Sequence, residues 1–382
     1  MDSYLNLDVS WRWRRFNIEA LGDCFDIDWR GLVFKILWII GNGFDINLGL
    51  NTGYRSFLLN KYFADGTSNK YRDELVGRLG DFDPGSQSNL WSDLELLLGE
   101  TTKLYEDDVE LFHETFEDIQ QQLLEYVAQE SQRLPDVFPP ATITEFKDSL
   151  CLFSRRLAPL DRVDAISELA PLDNAWVSAI SLNYTRAFDS FWNAACQNGR
   201  LHLQMLGDEV NYYYEDRLLH LHGGVDDLGN GASPVFGVSD HSQISSVPLS
   251  NDADFTELWI KSQRNAGILR NNNTQDMADL VSSANLICIY GCSLGRSDAY
   301  IWKEVGKNIV SSVTPLYIFD YELPDRRSGS YRRFQKQRQM LIDTFLSVAE
   351  IKGSDKELAV KRIVPVESSR LFRFGSRLKL DE

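Results

Sequence analysis

The sequence predicts an α/β protein, a parallel sheet carrying a mostly helical insertion. Three observations predict it. Short apolar runs recur along the chain and end at a glycine or a polar turn. Helical patterns separate them. The chemically unusual residues gather at the ends of those runs, where parallel sheets hold their ligands.

Residues 1–33 read as an N-terminal extension, either an ordered arm or an upstream extension of the reading frame. They hold three Trp and the basic cluster "WRWRRF" without a clear period. The main α/β domain is expected over 34–325. Residues 33–40 form a continuous apolar run ended by Gly41, the pattern of a strand buried on both faces. A helix is expected from Ile46 to about Tyr62, and a polar, Gly-rich loop over 68–89.

The helical insertion is expected over about 64–170. Its clearest part is 103–133, where Leu104, Leu111, Phe112, Phe116, Ile119, Leu123 and Tyr126 fall at helical spacing between acids. "LPDVFPP" at 134–140 breaks it, and a second helix is expected to follow. Strands return at 175–185, 218–225, 285–298 and 314–322. The remainder, 326–382, is expected to add a helix and a strand packed on the core. The basic stretch at 326–339 opens that helix, as a solvated face or a contact for a partner.

The 382 residues carry a net charge of −17, which argues against general nucleic-acid binding. A small anionic ligand stays open, since backbone amides can hold phosphate. Five cysteines, an odd number with no Cys-x-x-Cys, suggest reduced thiols in a cytoplasmic protein. No zinc set accompanies Cys288 and Cys292. No apolar h-region of a signal peptide is evident, and the run "ILWII" falls far short of a bilayer span.

Four strand ends and one helix carry the candidate chemistry. Gly41-Asn42-Gly43-Phe44-Asp45 is a Gly-x-Gly turn between strand and helix. It is either a phosphate-cradling loop or a tight corner, because the third Gly of a dinucleotide fingerprint is replaced by Ile46. Asn183-Tyr184-Thr185 ends the next strand, and Asn183 either orients a ligand or caps the following helix. His220 and His222 share one strand face. Without a third metal ligand nearby, His222 reads as a general base, with His220 packing against or orienting it. His113 and His202 read as structural. Gly291-Cys292-Ser293 opens a second small-residue loop that holds phosphate or ribose, or is a turn capped by Ser297 or Asp298. Glu95, in "NLWSDLE", is a buried working acid or a capping-box partner, and Trp91 reads as core.

Taken together and in order, these pieces resemble the AbiH family of bacterial abortive-infection proteins. They are "IIGNGFDINLGLNTGYRSFL", "NLWSDLE", "SLNYTRAFD", "LHLHGGV", "PVFGVSD" and "IYGCSLGRSDAYIW", spanning about 34–320. The layout is also similar to a Rossmann-like, sirtuin-like fold. Gly41 and Gly43 match its Gly-rich loop, Asn183 its strand-end Asn, His222 and Gly223 its His-Gly, and Gly291 and Ser293 its Gly-x-Ser. Asn42 and Phe44 replace the usual small residues, and Thr185 stands where an acid is common. The four-cysteine zinc module is absent from the sequence, so protein deacetylation is not expected.

The resemblance implies phage defence through destruction of NAD+. It implies Asn183 and His222 as catalytic residues, aided by Asp45 or Glu95. NAD+ would be substrate, with no further cofactor required. It would lie on Gly41, Asn42, Gly43, Phe44, Tyr184, Gly223, Gly291, Ser293 and Asp298. A phage-derived trigger and homo-oligomer assembly are expected partners, with no membrane. The rival readings are a nucleotide sensor, an interaction protein, and a nuclease or nucleotide hydrolase with metal on Asp45, Glu95 and Asp298.

Overall fold

A computed structural model describes residues 34–63, 69–79, 94–158, 174–196, 200–205, 208–214, 218–225, 234–266, 269, 271–324 and 329–375. The expectations for 1–33, Trp91 and residues 80–89 lie outside them.

Strand β1 (Phe34–Ile40) is central. Around it stand β2 (Asn174–Ser181), β3 (Arg200–Met205), β4 (Asp208–Tyr214), β5 (Leu219–His220), β6 (Leu286–Tyr290), β7 (Leu316–Asp320) and β8 (Ile363–Glu367). The order is β3-β4-β2-β1-β6-β7-β8, with β5 beside β2. Every pairing from β4 across to β8 is parallel, as is that of β5 with β2; only β3 runs antiparallel, against β4. The α/β expectation holds. The β3–β4 hairpin had no counterpart in the sequence reading.

The apolar run of β1 is explained by its two covered faces. Ile36, Trp38 and Ile40 enter one core with Phe146, Phe188 and Phe191. Leu37 and Ile39 enter a second with Ile301, Trp302 and Ile342. A two-residue period with both faces buried leaves no polar position from Ile36 to Ile40.

The helices fill the connections. Between β1 and β2 lie α1 (Gly43–Leu48), α2 (Tyr54–Phe57), α3 (Lys70–Leu79), α4 (Leu94–Thr101), α5 (Val109–Ser131), α6 (Pro140–Cys151) and α7 (Phe153–Arg156). Then come α8 (Ala187–Ala195), α9 (Val247–Ser250), α10 (Ala253–Trp259), α11 (Lys261–Ala266), α12 (Asn273–Ser283), α13 (Ala299–Ser311), α14 (Tyr331–Val348) and α15 (Ser354–Val360). In α5, Asp108 caps the first turn through the Leu111 amide at 3.1 Å. Its Phe112, Phe116, Ile119 and Leu123 stripe packs with Phe236 and Trp259 in a third core.

Three local expectations are corrected. The helix over 46–62 breaks after Leu48, because Gly49 adopts a left-handed φ of 94° and stops it. The chain then re-enters helix at Tyr54 and closes with a π turn over Leu58–Tyr62. Part of the expected 68–89 loop is helix α3, whose start is capped by Asn69 Oδ1 at the Tyr71 and Arg72 amides and whose Leu75 is buried. The strand expected over 218–225 ends at His220, where the chain turns through Gly223 at φ 71°. Among the described residues, no helix is long and apolar enough to cross a membrane.

Candidate active site

Strand register builds the site. Ile40 pairs with Ser181 on one side and Tyr290 on the other, and Ser181 pairs with His220. The chain therefore leaves β1, β2, β5 and β6 side by side. Beyond those ends lies a cavity of about 510 Å³, within the range of small-molecule sites. Gly41, Asn42, Gly43, Asp45, Glu95, Asn183, Tyr184, His222, Gly291, Ser293 and Asp298 all line it. Residues far apart in the chain are thus brought to one place.

Phe44 and Gly223 do not line it. Phe44 is fully buried beneath the loop, edge-on to Phe188 at 5.1 Å and to Phe372 at 5.3 Å. The large side chain serves the core. Gly223 turns the chain, and its carbonyl faces His220 Nδ1 at 3.4 Å.

Of the two readings of the glycines, the geometry fits the tight corner. A Cβ on Gly41 would stand 2.6 Å from the Gly291 carbonyl oxygen, and one on Gly43 would stand 2.5 Å from Gly291 Cα. The two loops pack backbone against backbone. The Gly41 and Gly43 amides donate to Tyr290 O at 2.9 Å and Gly291 O at 2.8 Å, and the Phe44 and Ile46 amides to Gly41 O and Asn42 O. These donors are spent inside the protein, so close loop packing accounts for the Gly-x-Gly.

Asp45 is fully buried. Its Oδ1 accepts from Asn183 Nδ2 at 3.0 Å and its Oδ2 from the Thr185 hydroxyl at 2.7 Å. Burial pushes the carboxyl up to about 7, against the pull of those two hydrogen bonds. Asn183 does not cap α8. With Nδ2 committed to Asp45, its Oδ1 is buried without a hydrogen-bond partner. The Asn42 side chain accepts from the Thr52 hydroxyl at 2.5 Å.

Across the cavity, His222 is 3% exposed. Its Nδ1 faces the Leu182 carbonyl at 3.2 Å. Nε2 lies 3.3 Å from the Tyr300 hydroxyl and 3.3 Å from Asp298 Oδ1. His220 does not orient it, being paired with Asp189 at 2.6 Å. Asp298 caps no helix by its side chain. It meets Lys261 Nζ at 2.7 Å, and Lys261 also meets Glu95 Oε2 at 2.8 Å. Glu95 Oε1 accepts from the Gly237 amide at 3.1 Å and the Tyr184 hydroxyl at 3.3 Å. Burial raises the Asp298 carboxyl, but Lys261 and His222 outweigh it and hold the group well below the usual carboxylate range. Burial pushes the Cys292 thiol up, which makes it a poor nucleophile.

The family described as "Bacteriophage abortive infection AbiH" matches residues 37–319 of the chain. The chain belongs to the AbiH family. That membership gives it a role in phage abortive infection. The AbiH match runs from β1 into β7 and takes in every residue of the cavity wall. No curated protein matches the chain.

Lys261, Tyr300 and the acceptor role of Asp45 were missed in this AbiH sequence. Lys261 follows "ELW" and Ile260 like any surface lysine, and nothing in its neighbours signals burial. Thr185 was noted only as a departure. Among the described residues, no group of three His, Cys, Asp or Glu side chains is placed to hold a metal ion. Two of the acids once considered as metal ligands, Glu95 and Asp298, are bridged instead by the Lys261 ammonium.

Proposed function

We propose that this AbiH-family protein hydrolyses NAD+ to nicotinamide and ADP-ribose during phage defence. The observation that carries this reading is the pair facing the cavity: Asn183, with an unpartnered Oδ1, and the His222 imidazole. A buried acceptor with no partner costs free energy, and a ribose hydroxyl or a water would supply the missing donor. The C–N bond between nicotinamide and ribose breaks, nicotinamide leaves with the bonding electrons, and water adds to the ribose carbon. The water proton passes to His222 Nε2, directly or through a ribose hydroxyl, and then to solvent. Such base assistance contributes roughly 10² to 10⁴ in rate.

Asp45 holds Asn183 Nδ2 and so directs the amide oxygen as the free acceptor. The diphosphate needs donors other than the spent amides of Gly41 and Gly43. Ser293 and the exposed Arg55 line the cavity and fit that need.

Purified protein is incubated with NAD+, with and without infected-cell extract, and nicotinamide release is followed. Release that His222→Ala and Asn183→Ala abolish supports hydrolysis. Tight binding with NAD+ left intact would identify a nucleotide sensor, and no binding under any condition sinks the reading.

A further inference from the structure

Lys261 is the buried cation that the proposed chemistry leaves unused. Its side chain is fully buried, and its ammonium is shared between Glu95 Oε2 at 2.8 Å and Asp298 Oδ1 at 2.7 Å. That same Asp298 oxygen is 3.3 Å from His222 Nε2. One carboxylate oxygen therefore serves both an ammonium and an imidazole.

The other groups facing His222 are the Tyr300 hydroxyl at 3.3 Å, the Tyr184 ring at 6.3 Å and the Leu182 carbonyl. Asp298 meets Lys261 and, through it, Glu95, and the Cys292, Tyr184 and Tyr300 side chains also feel its charge. With His222 neutral the cluster holds two carboxylates and one ammonium. Remove the ammonium, and the Asp298 oxygen loses its lysine counter-ion, which is unfavourable. His222 is the nearest group able to become a cation. It would then hold a proton on Nε2 and could not accept another.

We infer that Lys261 is a positioning residue for His222: by saturating the shared oxygen of Asp298, it releases the imidazole from serving as counter-ion and leaves Nε2 free to accept a proton. The base role of His222 rests on the reading proposed above, but the electrostatic link does not. It also assigns Glu95 a purpose. Glu95 anchors the ammonium from the far side, aided by the Gly237 amide and the Tyr184 hydroxyl.

The test uses the full chain. It contains five histidines, so imidazole proton signals can be assigned by loss of one in His222→Gln. The His222 signal is titrated in wild type, Lys261→Met, Lys261→Arg and Lys261→Met/Asp298→Asn. In Lys261→Met, the imidazole should keep its proton to a pH about one unit or more above wild type, the size expected when an opposing charge is removed. The acid limb of kcat/KM for NAD+ cleavage should move the same way. Lys261→Arg should restore the wild-type titration, and adding Asp298→Asn should cancel the rise. If Lys261→Met does not fold, Lys261→Met/Glu95→Gln removes one charge of each sign and should still raise the titration. A His222 titration unmoved in a folded Lys261→Met chain overturns the inference. If wild type cleaves no NAD+, the proposed function falls, while the imidazole titration still decides this point.

Discussion

Asn183 Nδ2 donates to Asp45 Oδ1 at 3.0 Å across 138 residues of sequence. The bond ties the end of β2 to the first turn after β1. It also makes a fully buried carboxylate part of the cavity wall.

That carboxylate gives stability a pH dependence. Burial raises Asp45 from 3.8 to about 7 in the folded state. A raised carboxyl favours the folded form most below its unfolded pKa, and that advantage is lost as pH rises through about 7. Asp45→Asn should therefore unfold at a higher temperature than wild type at pH 8, with the gain shrinking towards pH 5. The shift of about three units sets an upper bound of about 4 kcal/mol. Thermal melts at the two pH values check this; a gain equal at both would exclude ionisation as the cause.

The loop contact predicts intolerance at Gly43. An added Cβ would lie 2.5 Å from Gly291 Cα, so Gly43→Ala must push the two loops apart. The cost should be about 1–3 kcal/mol or more, as for other overpacked sites. Denaturant titration measures it. Gly77, with nothing within 4 Å of its Cβ position, is the control and should tolerate Ala.

Phe44→Ala should destabilise by about 3–5 kcal/mol, as for other buried aromatics. The ring is fully buried and meets Phe146, Phe188, Phe191, Phe372 and Phe374. Phe44→Leu should retain most of the stability and leave nucleotide binding unchanged, measured by calorimetry. A selective loss of binding in stable Phe44→Leu would instead place the ring at the ligand.

Cys292 should resist alkylation although it lines the cavity. Burial pushes its thiol up, so little thiolate exists near neutral pH. Iodoacetamide at pH 7.5 followed by mass spectrometry reads this out. Rapid, stoichiometric modification of Cys292 in folded protein would contradict it.

The sheet was legible because burial on both faces writes itself as runs such as "KILWII" and "LICIY". The strand-end residues were legible because parallel register gathers those ends. The purpose of Gly41 and Gly43 was not, since a glycine needed for loop packing looks the same as one needed for a phosphate. Lys261 was invisible because its burial depends on Glu95 and Asp298, 166 and 37 residues away. The break after Leu48 was signalled by Gly49, but the apolar pattern running on to Tyr62 hid it.

The underside of the cavity loop adds a matter of timing. Phe372 and Phe374 close the aromatic layer beneath Phe44, and the Phe372 carbonyl accepts from Asn47 Nδ2 at 2.8 Å. Every residue of the cavity wall, up to Trp302, is made before them. A ribosome that stalls after Trp302 and before residue 372 releases a chain with the whole wall, its Phe44 resting on Phe146, Phe188 and Phe191 but not on Phe372 and Phe374. The first cavity loop is therefore packed from beneath by its full aromatic layer only once the chain has been translated through Phe374.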